Sequence, residues 1–165
     1  MADHAATLVV FCALMTLAAS SGTIFIARAQ ISEAQILSAQ ARLSSVAYRA
    51  ERGTWAPTRL VAQHQALGPH AGTRLPGVEG SYVASVWIHD DGAIDVDFKT
   101  TDEYRQIAAE IRGKTLSLRP VSARAISGAP IAWHCGPAST DPRRRVFGRD
   151  RTSVSLGVLL RPCRL

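Results

Sequence analysis

The sequence predicts an α+β protein, in which one long N-terminal helix is followed by a small antiparallel sheet. Three observations predict it. The first fifty residues contain no proline; the apolar spacing changes from helical to alternating beyond residue 80; and two turn signals, Asp90-Asp91-Gly92 and Gly113-Lys114, punctuate the second half.

The helix has two halves. Residues 5–27 are uncharged and rich in apolar side chains, among them Leu8, Val9, Val10, Phe11, Leu14, Ile24, Phe25 and Ile26. A bilayer core needs about 20 such residues in a helix. A cleaved secretory signal is the competing reading, because Ala18-Ala19-Ser20 and Ala27-Arg28-Ala29 resemble small-residue processing sites. Asp3 and His4 stand before the run with no Lys or Arg, the reverse of a signal peptide's start, and this favours a retained anchor. Cys12 lies inside the run, where a small polarisable side chain packs well. In the second half, Ile36, Ala39, Leu43, Val46 and Ala50 recur at steps of three and four and form a seam predicted to face the domain. Ser38, Arg42, Ser45, Arg49 and Arg52 follow the same rhythm on a face predicted to be wet, and Gly53 stands where a helix commonly stops. A continuous helix of about fifty residues at 1.5 Å each is a rod of about 75 Å, longer than a domain of this size needs.

These features divide the chain into residues 1–27, the membrane or packing half of the helix; 28–53, its amphipathic half; 54–80, a connection rich in Pro, Gly and His; and 81–165, the sheet-bearing head. In the head, Tyr82, Ala84, Val86 and Ile88 are predicted to share one strand face with Ile94, Val96 and Phe98 of the returning strand. Asp95 and Asp97 then point to the other face, read as the solvated side of a half-buried sheet rather than as an acid/base or metal pair. Leu116 and Leu118 alternate before Pro120 in a third strand, and residues 131–135 supply a fourth.

Two cysteines, Cys135 and Cys163, flank an Arg-rich, proline-containing segment. Pairing them is the economical reading; closing a loop of about 30 residues contributes about 3–4 kcal/mol in the chain-entropy model and points to an oxidising compartment. Two free cytosolic thiols are the alternative. The net charge of +6 is local: residues 135–165 carry seven Arg against Asp141 and Asp150. Arg143, Arg144, Arg145, Arg149 and Arg151 form a cluster predicted to lie on a solvated loop, either a solubilising surface or an attractor for DNA phosphates or acidic surface glycans. His4, His64, His70, His89 and His134 include no i,i+4 pair and no Cys/His set at zinc-ligand spacing. There is no phosphate-binding Gly-rich loop and no nucleophile elbow, so no catalytic, metal or cofactor residue is assigned and an enzyme is not expected.

At several points in order along the chain the sequence resembles the type IV pilins. Ala27-Arg28-Ala29-Gln30-Ile31-Ser32-Glu33-Ala34 is similar to the stretch where a pilin helix leaves its apolar half. Glu51-Arg52-Gly53-Thr54-Trp55-Ala56-Pro57 resembles the pilin helix end and its exit, and Gly80-Ser81-Tyr82-Val83 the start of the pilin sheet. Gly113-Lys114-Thr115-Leu116 resembles a strand opening, Trp133-His134-Cys135 the Trp-x-Cys strand, and Leu160-Arg161-Pro162-Cys163-Arg164 the closing motif, here with a shorter Pro-to-Cys spacing. The resemblance implies a helix of about fifty residues packed on about four antiparallel strands, with a disulfide-bounded C-terminal loop. It implies a filament subunit without enzymatic activity, held in the inner membrane by one span with a periplasmic head before assembly. After assembly it implies a place in a surface pilus serving adhesion, twitching motility or DNA uptake. Other pilin subunits and the assembly machinery are the implied partners. The start departs from the family, which opens with a short basic leader ending in Gly, whereas this chain has Met1-Ala2-Asp3-His4-Ala5. Registered on residues 27–34, Asp3 falls at the family's acidic assembly residue, implied to neutralise a neighbouring subunit's amine. A membrane-tethered or secreted periplasmic binding domain and a type II secretion pseudopilin are the alternative readings.

Overall fold

A computed structural model describes residues 22–55, 73–75, 77–101, 106–124, 128–136, 141–160 and 163. Asp3, Cys12, most of the apolar run and much of the connection therefore lie outside the described residues. Among the described residues no helix is long and apolar enough to cross a membrane.

Helix α1, residues 22–37, leads into α2, Ala39–Arg52, with one irregularity at Ser38. The axis carries on through it, since Ser38 N–H still donates to the Ala34 carbonyl (3.1 Å) and Arg42 N–H to the Ser38 carbonyl (3.0 Å). The Gln35 carbonyl accepts the Ser38 hydroxyl (3.2 Å) and the Arg42 guanidinium (2.8 Å). Side-chain donors inserted into the i→i−4 ladder are a known cause of local irregularity. Helix α2 ends on Gly53 at φ 74°, a left-handed conformation open to a residue without Cβ, with its N–H on the Arg49 carbonyl. Arg49 and Arg52 in the last turn suit the negative end of the helix dipole.

The face that enters the core differs from the predicted seam. Ala27, Ile31, Ala34, Ser38, Ala41 and Ser45 are buried, whereas Ile36 is 73% and Leu43 is 68% exposed. Ala50 is exposed too, and Ala39 and Val46 are only half-buried. The two serines expected to be wet, Ser38 and Ser45, are dry. Both faces repeat at steps of three and four, so period alone does not choose between them. The small side chains choose, because they let the sheet approach the helix closely while Ile31 fills the space between.

The sheet is antiparallel and has six strands, two more than expected. They are β1 (Thr73–Arg74), β2 (Val83–Ile88), β3 (Ile94–Phe98), β4 (Thr115–Ala123), β5 (Ala132–Cys135) and β6 (Arg144–Val146). The order is β1-β2-β3-β4-β5, with β6 also paired to β4. Two details correct the sequence reading. A bulge between Val83 and Ser85 shifts the phase of β2, so Val83 rather than Ala84 joins Val86 in the core. Strand β4 also runs through Pro120 instead of stopping before it. Pro120 falls between Leu118, where pairing with β3 ends, and Val121, where pairing with β6 begins, so its missing N–H interrupts neither ladder.

One hydrophobic cluster joins Ala27, Ile31, Ala34 and Ala41 of the helix to Val83, Val86, Ile94, Val96, Phe98, Leu116 and Leu118 of the sheet. Ile107, Ile111, Val154, Val158, Leu159 and the two bonded cysteines close its ends. Each fully buried Ile or Leu contributes about 1.5–3 kcal/mol relative to exposure, so the helix is bound to the head chiefly by this cluster.

Candidate functional site

Polar side chains on either flank of the buried helix face pin the sheet and loops to it. The Glu33 carboxylate accepts the backbone N–H groups of Tyr82 (2.9 Å) and Val83 (3.3 Å), holding the entry to β2. Gly80 is the residue that lets it reach: a Cβ there would lie 1.8 Å from Glu33 Oε1 and 2.7 Å from Leu37 Cδ1. Gln30 clamps the turn after β3, donating to the Gln106 carbonyl (2.8 Å) and accepting from Ala108 N–H (2.9 Å). Arg28 donates to the Gly157 carbonyl (3.1 Å). The Gln35 amide reaches the sulfurs of Cys135 (3.5 Å) and Cys163 (3.8 Å).

Among the described residues the opposite helix face is open. Phe25 is as exposed as Ile36, Leu43 is nearly as open, and Ala29, Ala47 and Ala50 are exposed along the same stripe. Spacings of 11 and 7 residues between Phe25, Ile36 and Leu43 keep them in line along a 3.6-residue period. A helix apolar on two opposite sides is suited to burial on both.

Cys135 and Cys163, 28 residues apart, form a buried disulfide with their Cα atoms 4.4 Å apart. The segment it bounds is not a free loop. Its middle is β6, and residues 148–153 then cross the outer sheet face as a strap. The strap is held by Arg149 N–H on Asp91 Oδ2 (2.8 Å), Arg151 N–H on Ser117 Oγ (2.8 Å), Thr152 Oγ1 accepting Ser117 N–H (3.1 Å) and Ser153 N–H on the Thr115 carbonyl (2.9 Å).

That strap overturns the reading of Asp95 and Asp97 as a solvated pair. Asp95 is fully buried, with Oδ2 2.8 Å from His89 Nε2 and Oδ1 accepting Ser117 Oγ–H (2.6 Å). Asp97 accepts Trp87 Nε1–H (2.8 Å), Ser85 Oγ–H (3.1 Å) and Thr115 Oγ1–H (2.7 Å). Both carboxylates are the centres of cross-strand polar contacts, Asp97 half-buried with three hydrogen bonds and Asp95 fully buried with one hydrogen bond and a close ion-pair contact to His89. The neighbouring Asp91 sits at the strap's edge. Burial opposes its ionisation, but the N–H groups of Arg149 and Ala93, the Arg151 guanidinium and His89 outweigh that cost and hold its carboxyl below the ordinary carboxylate range.

The Arg cluster is divided by the fold. Arg144 and Arg145 lie on β6, paired with Ala123 and Ser122, not on a solvated loop. Arg144 Nε stands 3.4 Å from Asp141, and Arg143 donates its backbone N–H to the same carboxylate. Arg151 turns to Asp91 (3.3 Å) and towards Asp95 (3.8 Å), so it belongs to the polar layer under the strap. Arg143, Arg144, Arg145 and Arg149 remain exposed. Among the described residues no group of three or more His, Cys, Asp or Glu could hold a metal ion.

A family model for pilin, a bacterial filament protein, matches residues 27–146. The chain belongs to the type IV pilin family. No curated protein matches the chain. The family is structural and non-enzymatic, so this pilin is a filament-type subunit that assembles with other pilin subunits. The matched span runs from the buried Ala27 to the end of β6, taking in the helix from Ala27 onward, the Gln30 and Glu33 contacts and every described strand. The strap and Cys163 lie beyond it. Gln30, Glu33 and Gln35 escaped the sequence reading as site residues. No local signal marks them, since their partners lie 49 to 128 residues away along the chain.

Proposed function

We propose that the chain is a subunit of a type IV pilus that polymerises through its N-terminal helix into a cell-surface filament serving adhesion, motility or DNA uptake. The observation that carries this reading is the outward stripe of Phe25, Ile36 and Leu43, which is exposed among the described residues and follows the apolar run in sequence. Residues 5–27 hold the subunit in the inner membrane before assembly and exchange lipid for neighbouring helices afterwards; association in either setting rests on close packing of small residues and polar pairing, since lipid is already apolar. Asp3 neutralises the amine of the adjoining subunit, and the disulfide belongs to a head matured in the periplasm.

Leu43→Glu tests the reading directly. The variant accumulates in the cell like the parent, because Leu43 is not in the core, but is absent from sheared filaments. Incorporation equal to the parent would show that the stripe is not an assembly surface. Asp3→Ala is expected to give the same pattern of stable accumulation and lost incorporation.

A further inference from the structure

A groove of about 660 Å³ opens beside the start of α1, between that helix, Tyr82 and the turn at residues 106–112. Its floor is apolar, lined by Ile26, Ile107, Ala108 and Ala109. Gln30 also lies in the wall, but its amide is engaged at both ends by the turn, with Nε2 on the Gln106 carbonyl (2.8 Å) and Oε1 accepting Ala108 N–H (2.9 Å). The rim is charged. Glu110 and Arg112 stand two residues apart on it, and Arg112 donates to the Ile107 carbonyl (2.9 Å), which fixes its guanidinium across the turn. That contact uses one of five N–H donors and leaves the others for an oxyanion.

The groove's place along the helix identifies what reaches it. The apolar run, residues 5–27, is 23 residues long and at 1.5 Å each spans about 35 Å, against about 30 Å for a hydrocarbon core. Thr23 and Ile26, near the end of that run, therefore stand at the headgroup boundary when the run is held in a bilayer. Tyr82 in the facing wall is half-buried, and an amphipathic ring suits that level.

We propose that this groove seats one phosphatidylethanolamine molecule of the membrane that stores the subunit, its upper acyl carbons on Ile26, Ile107 and Ala109, its phosphate on Arg112 and its ammonium on Glu110. The inference rests on the membrane storage proposed above. Charge selects the lipid. An anionic headgroup meets Arg112 but is repelled by Glu110, and a quaternary ammonium has no N–H to donate to the Glu110 carboxylate. A free phosphate lacks the chain that the apolar floor takes. The volume is that of a small-molecule site, room for a headgroup and the first carbons of a chain. A lipid held here ties the head to the bilayer surface, and it has to leave when the helix exchanges lipid for its neighbours in a filament.

The test uses the full chain reconstituted in phosphatidylcholine vesicles with a small fraction of phosphatidylethanolamine carrying a diazirine on its upper acyl carbons. Illumination is expected to label the tryptic peptide 106–112, and unlabelled phosphatidylethanolamine to compete for that site better than equal amounts of phosphatidylglycerol or further phosphatidylcholine. Glu110→Gln abolishes the preference for the ethanolamine headgroup. Arg112→Gln lowers labelling of these residues about two- to fivefold, the range for one exposed charge contact, and the Glu110 variant serves also if this one loosens the turn. Arg124→Gln, outside the groove, labels like the parent. Label spread evenly over the apolar run, or equal competition by the three lipids, would overturn the proposal. So would loss of label with cross-linking of this peptide to a second copy as subunit density rises, which would give the groove to a neighbouring helix. An alkaline carbonate wash separates this failure from that of membrane storage: a chain that stays in the vesicles without labelling fails only the groove, whereas a chain that washes out fails both.

Discussion

Ile31 and Ile36 are the same residue five positions apart on one helix, and one is fully buried while the other is 73% exposed. The inner face is built of small residues, Ala27, Ala34, Ser38, Ala41 and Ser45, with Ile31 as its largest member. The outer face carries the bulk, Phe25, Ile36 and Leu43. The inner face is specialised for close approach by a sheet already rich in Val, Ile and Leu. Among the described residues the outer face is left open. A helix so divided serves folding with one side and, on our reading, assembly with the other.

Paired truncations break the comparison most strongly. Ile31→Ala removes a fully buried side chain from the junction of helix and sheet and costs about 2–5 kcal/mol, read from urea unfolding of the full chain in detergent by tryptophan fluorescence. Ile36→Ala in the same assay changes stability by less than about 0.5 kcal/mol. Similar losses from both would mean that the outer face is covered within the subunit.

The disulfide ties the strap and the Cys163 end to β5 beside the inner face, where Gln35 reaches both sulfurs. Cys135→Ser is expected to lower stability by about 3 kcal/mol, with mass analysis of the unreduced parent showing a Cys135–Cys163 link. Free thiols at both positions in protein recovered from the periplasm would contradict the bond. Gly80→Ala forces Glu33 away from the entry to β2; the two backbone N–H groups left without it cost about 1–2 kcal/mol. In a Glu33→Gln background the same substitution should cost less, because the charged contact has already been weakened.

The smallest effect concerns the strap. Asp91 has its pKa depressed in the folded state, so its contribution is present above the ordinary carboxylate pKa of about 4 and is lost as pH falls through the lower folded value. Asp91→Asn should therefore lower the neutral plateau of a stability–pH curve modestly and leave the acid end little changed, so that the acid limb is flatter. An unchanged acid limb would remove Asp91 from the strap's anchorage.

Much of this architecture is legible in the sequence because it is local. The absence of proline, the stop at Gly53, the turn at Asp90-Asp91-Gly92 and the alternation of Ile94, Val96 and Phe98 each act over a few residues, and they define helix, hairpin and α+β class. Cys135 and Cys163 were also legible as a pair, and the ordered motifs as those of a pilin.

Tertiary structure decided what local pattern left degenerate. Two helix faces share one period, and only the shape of the sheet selects the small-residue side. Asp95 and Asp97 alternate as a wet strand face would, yet neighbouring strands supply their partners, and a strap from more than fifty residues further along anchors to Asp91 and to Ser117, the residue that also binds Asp95. Strand β6 and the unbroken course of β4 through Pro120 depend on which neighbour reaches which side of β4. The dispersal of the Arg cluster follows from the same long-range pairing: spacing along the chain specifies charge, but only the fold decides which guanidinium meets a carboxylate and which stays exposed.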